Sequence, residues 1–306
     1  MEISATTKIL GVIGDPISHS MSPTMHNAVI HKLGLDYVYV AFNIKGENLC
    51  AACDGFRAMG ISGINVTIPH KIEVMRYLDD INPIALGIGA VNTIKSIEGK
   101  SGVKLIGKNT DADGALISLI NANFDPSNKK CVIIGAGGAS RAVSFILGTK
   151  AKEIIITDII NETAESLKEN LIEFYSNPKN TSEFNLIDPP LFRTVPLKTE
   201  SVSNELQDTD LLINATPVGM HPLNGISPLD KLNIKLNSKL FVFDVIYNPL
   251  ETKLLADAKI GGCRTLSGIN MLVNQGAIAF EWWTGKKPDL DIMTRAALKK
   301  LNVAGN

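Results

Sequence analysis

Cysteine is scarce, with four residues in 306. That is too few for a disulfide framework in a chain of this length, so a reducing cytoplasm is the expected setting. Neither sign of charge is in excess: 30 Lys+Arg stand against 31 Asp+Glu, a net −1. The balance argues against a broad phosphate-binding surface, and nucleic acid is not an expected partner. No apolar run approaches the roughly 18 residues that a membrane-spanning helix needs, so no membrane role is expected. Met1–Leu10 lacks the basic-then-apolar layout of a secretory leader. Internal repeats and low-complexity tracts are missing as well. What is present is an ordinary globular composition, 45% apolar and 20% charged, far from the signature of disorder. At roughly 100–200 residues per domain, the length allows two domains, each with its own core.

The first third alternates β-rich runs with helical patterns. Lys8–Gly14 reads as a strand, and Ser22-Pro23 opens a helix to about Leu33, with Ser22 as N-cap and Pro23 at the first helical position. Asp36–Ile44 is a second strand, Gly46–Met59 a helix and Ile61–Ile68 a third strand. Such alternation implies a mostly parallel sheet covered by helices. The rhythm breaks at 90–107, where VNTIK, a turn Glu98-Gly99-Lys100-Ser101-Gly102 and VKLIG read as a hairpin. A second alternating block begins at Lys129. Its strands are Cys131–Gly135, Glu153–Asp158, Asp210–Thr216 and Leu240–Ile246, near-continuous apolar runs of the kind found in buried parallel sheets. Helices run to about Leu147 and to about Tyr175. A polar stretch, Ser176–Pro190, is longer than a typical connection of about 4–6 residues. The tail Gly268–Leu301 is helical in pattern, has no strand partner, and is expected to pack back on the first block.

Gly135-Ala136-Gly137-Gly138-Ala139-Ser140 follows an apolar strand and opens a helix. Gly135 permits the tight turn, Gly137 lets backbone approach a pyrophosphate, and the helix start offers N–H groups and a positive dipole end. Ser140 replaces the third glycine of the fingerprint. Asp158 closes the next strand 23 positions after Gly135 (158 − 135), close to the expected ~20, which favours a dinucleotide. A carboxylate there accepts hydrogen bonds from the ribose hydroxyls of NAD and repels the 2′-phosphate of NADP. Residues 159–162 supply no Arg or Lys for that phosphate. The plainer role for Asp158 is capping of the next helix.

Several standard chemistries opposite a nicotinamide fail on inspection. Cys50 and Cys53 form one C-x-x-C, without the second pair or His pair that zinc needs; on one helix face they read as part of a core stripe. No metal is expected. Tyr175 and Lys179 match Tyr-x-x-x-Lys, but Pro178 lies between them and breaks the required helix. His19, His26, His31, His70 and His221 show no carboxylate pairing readable from sequence. What remains is a pair of polar loops, Asp15–Pro23 after the first strand and Asn65–Lys71 after the third. In an open α/β sheet both would face one crevice at the carboxyl ends of the strands.

The sequence resembles the shikimate dehydrogenase family, quinate/shikimate relatives included, over nearly its whole length. The motifs come in the family's order. They are GDPISHSMSP from Gly14 with His26-Asn27, NVTIPHK from Asn65, Ala90-Val91-Asn92-Thr93 and Asn109-Thr110-Asp111. GAGGAS from Gly135 with Arg141-Ala142, NATPVGM from Asn214, Tyr247-Asn248-Pro249 and Gly268–Gln275 follow. The resemblance implies an α/β enzyme with an N-terminal substrate domain, residues 1–109 completed by helices 268–306. A Rossmann-like NAD(P)-binding domain, residues 110–267, lies between. It implies reversible NAD(P)H-dependent reduction of 3-dehydroshikimate to shikimate, without metal, by a monomer or homodimer.

By the same resemblance, Ser18 and Ser20 bind the substrate carboxylate with Tyr247 nearby. Asn65, Thr67, Asn92, Asp111 and Gln275 hold ring hydroxyls, and Lys71 is the general acid/base hydrogen-bonded with Asp111. An ammonium beside a developing alkoxide stabilises its charge, and an adjacent carboxylate orients it. Gly135, Ala136, Gly137, Gly138, Ala139, Asp158, Thr216, Val245, Gly268 and Met271 are the implied cofactor residues. One segment departs from the pattern. Many NADP-using members carry an Asn-Arg-Thr-like segment where this chain reads Thr157-Asp158-Ile159-Ile160, so NAD or dual use is expected over strict NADP. Two alternatives remain at this point: a quinate/shikimate dehydrogenase using NAD, and a dinucleotide-binding sensor without catalysis.

Overall fold

The structure, a computed structural model, describes residues 3–100, 102–181, 184 and 189–304. It separates into two compact units, Met1–Gly114 with Val273–Asn306, and Ala115–Leu272. The junctions fall five residues beyond those expected from the motifs, at 114 rather than 109 and 272 rather than 267. Both lie inside helices.

The first unit opens with β1 (Lys8–Gly14), α1 (Ser22–Lys32), β2 (Tyr37–Asn43), α2 (Leu49–Ala58) and β3 (Gly63–Val66). It continues with β4 (Asp80–Ile81), α3 (Pro83–Ile88), β5 (Thr93–Gly99), β6 (Gly102–Lys108) and the start of α4 (Asp111–Asn121). Its sheet has the order β2-β1-β3-β5-β6-β4. β1 pairs in parallel with β2 and β3, whereas β3–β5 and β5–β6 are antiparallel. The hairpin is therefore present, with Ser101 of its turn outside the described residues. Ile13, Ile64, Val66, Val91, Ile94 and Leu105 from these strands and their flanks are buried against Leu49, Cys53 and Phe56 of α2. That apolar layer fixes where each strand ends, and therefore where the polar loops begin.

Local signals are shifted in four places. Met21, not Ser22, is the N-cap of α1, so Ser22 and Pro23 are its first two helical residues; Ser20 Oγ accepts the Ser22 N–H at 3.3 Å. The helix expected from Gly46 starts as a 3-10 turn, Gly46–Asn48, before α2. Cys53 is buried but Cys50 is exposed, because Cys50 sits in the first turn at the edge of the apolar face. The third strand stops at Val66: the chain leaves the ladder in a turn closed by the His70 N–H on the Thr67 carbonyl at 3.0 Å.

The second unit contains β7 (Lys130–Ile134), α5 (Gly138–Gly148), β8 (Glu153–Thr157), α6 (Asn161–Tyr175), α7 (Pro178–Thr181) and β9 (Leu191–Thr194). These are followed by α8 (Thr199–Leu206), β10 (Leu211–Asn214), β11 (Phe241–Asp244), α9 (Lys253–Ile260) and β12 (Arg264–Ser267). Every pair in its sheet is parallel, in the order β12-β11-β10-β7-β8-β9. Read from the other edge this is the doubly wound order 3-2-1-4-5-6, with its switch point between β7 and β10. The expected α/β class with two mostly parallel sheets is what the chain adopts. Residues 182, 183 and 185–188 of the polar stretch lie outside the described residues; Pro178–Thr181 within it forms a short helix. Tyr175 ends α6 with its hydroxyl donating to the Phe145 carbonyl, a packing role in place of the discarded dyad.

The chain closes with α10 (Ile269–Thr284) and α11 (Leu290–Ala304). From Val273 onward they belong to the first unit, where α11 packs along α1. Trp283 Nε1 donates to the Ile94 carbonyl at 2.8 Å, pinning α10 to β5. Among the described residues no helix is long and apolar enough to cross a membrane.

Candidate functional site

The first unit gathers its polar side chains at the ends of β3, β5 and β6. Lys71 lies in the turn after β3, and Asp111 begins α4. Lys71 Nζ reaches Asp111 Oδ2 at 2.7 Å, with the side chains 14% and 7% exposed. Each partner is held by its backbone neighbourhood. The Lys71 carbonyl accepts the Val91 N–H at 2.8 Å. Asn109 Oδ1 accepts the Asp111 N–H at 3.0 Å, and Asn109 Nδ2 donates to the Ala90 carbonyl at 2.9 Å. The carboxylate thus sits at the positive end of α4, which favours its negative charge.

Beside this pair runs a closed network of amides and hydroxyls. Asn65 Nδ2 donates to the Asn92 carbonyl (3.2 Å) and to Thr93 Oγ1 (3.1 Å), while Asn65 Oδ1 accepts from the Tyr39 hydroxyl at 2.7 Å. Asn92 Oδ1 accepts from the Thr110 N–H (2.7 Å) and Thr93 Oγ1 (2.9 Å). Its Nδ2 donates to Thr110 Oγ1 (3.0 Å) and Gln275 Oε1 (3.4 Å). Backbone donors and acceptors cannot exchange roles, so they fix which way each amide points. Asn65, Lys71, Asn92, Asp111 and Gln275 are thereby brought together, joined by Tyr39, Thr93 and Thr110. Ser18 is exposed and Thr67 half-buried; among the described residues neither side chain has a hydrogen bond to this network. Ser20 lies at the start of α1, its carbonyl accepting from Lys300 Nζ at 3.1 Å.

The second unit builds a turn after β7. Gly135 has φ +107°, and a Cβ there would lie 2.9 Å from the Ala215 carbonyl oxygen and from Thr216 Cγ2; glycine is required on both counts. Asp158 Oδ2 accepts the Ala136 N–H at 2.8 Å and Oδ1 the Ile160 N–H at 2.9 Å. Ile160, not Asp158, is the N-cap of α6, so Asp158 ties two loops together instead of capping that helix. A Cβ on Gly137 would meet nothing within 4 Å. This open space adjoins Gly138 and Ala139 in the first turn of α5, whose N–H groups have no acceptor within the helix. The arrangement fits a pyrophosphate.

Asn214 and Asp244 end the adjacent strands β10 and β11 in register. Asn214 Oδ1 accepts from the Thr216 N–H (3.0 Å) and hydroxyl (2.7 Å), and its Nδ2 donates to Asp244 Oδ1 at 3.1 Å. Asp244 also accepts from the Ile246 N–H (3.1 Å) and the Thr252 hydroxyl (2.7 Å). It is 0% exposed, and burial pushes its carboxyl up to about 6 against the pull of those hydrogen bonds. Gly268 packs so tightly on Val245 that a Cβ would lie 2.0 Å from the Val245 carbonyl oxygen. Met271, one turn into α10, is buried. Tyr247 is half-buried in the loop after β11. Among the described residues no group of three His, Cys, Asp or Glu side chains is placed to hold a metal ion.

Two family profiles match, the shikimate dehydrogenase substrate binding domain over residues 12–94 and the shikimate 5′-dehydrogenase C-terminal domain over residues 268–298. A shikimate dehydrogenase (NADP+) of Methanocaldococcus jannaschii is 45% identical over 299 residues, 98% of this chain and 99% of that protein. The chain belongs to the shikimate dehydrogenase family. A crystal structure of a shikimate dehydrogenase in complex with NADP+ matches with a TM-score of 0.84 at 43% identity, over 98% of each chain. Shikimate 5-dehydrogenase of Listeria monocytogenes, in complex with shikimate and NAD, matches with a TM-score of 0.81 at 36% identity, over 96% of this chain and 98% of that one.

Within this shikimate dehydrogenase fold, Tyr39, Thr93, Thr110 and Asp244 are among the polar residues that sequence reasoning left without a role, as are Asn109, Asn214 and Thr252. Thr93 and Thr110 sit inside quoted motifs and follow Asn92 and Asn109, a signal that they share the same turn. Tyr39 gives no such signal, because it reads as one more apolar residue of β2. Asp244 has a measurable signature. Its carboxyl titrates higher in the folded chain than in the unfolded one, so the folded state binds the extra proton near pH 4–6. The stability this gives is complete below pH 4 and is lost as pH rises through 6. Asp244→Asn is expected to remove the loss. Its unfolding free energy relative to wild type, from urea midpoints, should rise by about 2 kcal/mol between pH 4 and pH 7. An equal difference at both pH values would contradict a raised Asp244 carboxyl.

Proposed function

We propose that the protein catalyses reversible NAD(P)(H)-dependent reduction of 3-dehydroshikimate to shikimate. The first unit would hold the substrate and the second the dinucleotide. The observation that carries this reading is the Lys71–Asp111 ion pair, set beside a network whose amides all have fixed orientation. The dinucleotide, bound, supplies or accepts the hydride. Everything else falls to the chain's own side chains. Lys71 Nζ donates a hydrogen bond to the ketone oxygen and passes it a proton as negative charge builds there, so that ketone, hydride and proton balance as alcohol. Asp111 keeps the ammonium aimed and accepts from a neighbouring hydroxyl. Within the first unit, Ser18 and Ser20 are the proposed holders of the carboxylate; Asn65, Thr67, Asn92 and Gln275 hold ring hydroxyls. The Gln275 oxygen accepts from Asn92 Nδ2 at 3.4 Å, which ties Gln275 to the same network.

For the dinucleotide, Gly135, Ala136, Gly137, Gly138, Ala139, Thr216, Val245, Gly268 and Met271 line the proposed site, and Asp158 sets the preference. A carboxylate has about four lone-pair positions, and the two bonds from Ala136 and Ile160 leave acceptors for ribose hydroxyls. A 2′-phosphate would face that charge, next to Ile159 and Ile160, which are 86% and 57% exposed and bring no cation. NAD, or dual use, is the reading this supports.

Shikimate oxidation followed by the absorbance of reduced nicotinamide tests the chemistry. Lys71→Ala is expected to lower kcat by about 10²–10⁴ with the protein still folded; an unchanged kcat would sink the assignment. For the cofactor, kcat/KM with NAD should equal or exceed that with NADP. Asp158→Asn combined with Ile159→Arg should shift the ratio towards NADP by at least about tenfold. A strong NADP preference in the wild-type protein would contradict the Asp158 reading.

A further inference from the structure

Helix α1 carries two side chains, His26 and Asn27, for which the proposed reaction has no use. Both are turned to the same residue, Tyr39 in the middle of β2. The His26 imidazole lies face to face on the Tyr39 ring, with centroids 4.3 Å apart and planes 8° apart. Phe280 and Trp283 of α10 close around it, at 6.0 and 5.8 Å. His26 is 0% exposed, and neither ring nitrogen has a hydrogen-bond partner among the described residues. Burial holds its pKa down at about 3, so it is a neutral flat ring across the working pH range. Asn27 grips the Tyr39 backbone from both sides: its Oδ1 accepts the Tyr39 N–H at 2.9 Å and its Nδ2 donates to the Tyr39 carbonyl at 2.8 Å.

The clamped residue is itself a connector. β2 pairs with β1 through Leu10 and Tyr39, and β1 pairs with β3 through Val12 and Asn65. Tyr39 and Asn65 therefore lie on the same face of the sheet, two strands apart, a gap of roughly 9–10 Å. The phenol is long enough to cross β1, and its hydroxyl donates to Asn65 Oδ1 at 2.7 Å. Asn65 Nδ2 must face the Asn92 carbonyl, which can only accept, so the Tyr39 hydroxyl closes the opposite side of the amide. The terminal torsion of an asparagine is otherwise broad.

We propose that His26, Asn27 and Tyr39 are positioning residues that act through Asn65, holding its amide in the one orientation that meets the substrate ring. The proposal rests on the reading of the first unit as a shikimate site. None of the three touches the reacting atoms. α1 thus performs two tasks, since the Ser18–Ser20 loop leads into its first turn and the clamp on Tyr39 sits in its middle.

The test compares Tyr39→Phe, His26→Ala and His26→Phe with wild type in steady state and by calorimetric titration of shikimate. Tyr39→Phe deletes only the hydroxyl; the shikimate KM should rise about tenfold, with the dinucleotide KM within about twofold of wild type. His26→Ala removes the stacking surface and should raise the shikimate KM likewise, whereas His26→Phe, which keeps a flat ring without nitrogens, should restore it to within about threefold. Urea midpoints of all three separate positioning from general loosening. A shikimate KM unchanged in Tyr39→Phe overturns the positioning role, whatever happens to stability. So does a His26→Phe protein as stable as wild type but as impaired as His26→Ala. A wild-type protein that neither binds nor oxidises shikimate would overturn the substrate reading as well, which distinguishes the two failures.

Discussion

A single contact, the 2.7 Å approach of Lys71 Nζ to Asp111 Oδ2, gives the first unit its chemical character. Two charges that are mostly withdrawn from water need each other, because removing one partner leaves the other buried and unpaired. The surrounding architecture is arranged around that need. β3 ends early enough to release Lys71 into a turn, the hairpin of β5 and β6 delivers Asn92 and Asn109 beside it, and α4 presents Asp111 at its positive end. Asn109 contributes twice, fixing the α4 start and tying it to the Ala90 carbonyl. The apolar layer under α2 fixes these positions; it makes no chemistry itself.

The second unit solves a related problem with the same means. Asn214 and Asp244 stand at the carboxyl ends of adjacent parallel strands and hold the Thr216 and Ile246 loops by hydrogen bonds. Asp158 does the same at the end of β8, joining the Ala136 turn to the start of α6. In each unit the loops at the strand ends are made rigid by polar side chains, buried or half-buried, with both faces of the amide or carboxylate in use. Fully satisfied networks of this kind are specific as well as stabilising. Their polarity is directional, and in the proposed reaction that direction decides which atoms are presented to the substrate and to the dinucleotide.

Much of this was legible in the sequence. Central strands such as Cys131–Gly135 announce themselves as unbroken apolar runs, and the Gly135 turn is fixed by sterics that glycine alone meets. Of the four edge strands only β2, rich in Tyr, Val and Phe, was legible. β4, β9 and β12 lie at the margins of their sheets, carry Asp, Arg, Thr and Ser, and lack any apolar run. The Lys71 and Asp111 motifs were readable as segments, but their 2.7 Å contact spans 40 residues and depends on the register of β3 and β5. Tyr39 was least visible, since a phenol inside a β-rich run looks like packing until its hydroxyl is seen to cross a strand. Net charge was silent about all of it. The total of −1 hides two carboxylates, Asp158 and Asp244, whose placement at strand ends matters more than their number.

The proposed catalysis depends on Lys71 and Asp111 acting as one unit, and a double-mutant cycle on kcat tests that dependence most directly. Lys71→Met, Asp111→Asn and the double variant would be assayed with saturating shikimate and dinucleotide. A coupled pair predicts strong non-additivity, with the double variant within about threefold of the slower single variant. Two losses that simply multiply would show that Lys71 and Asp111 act independently and would contradict the account.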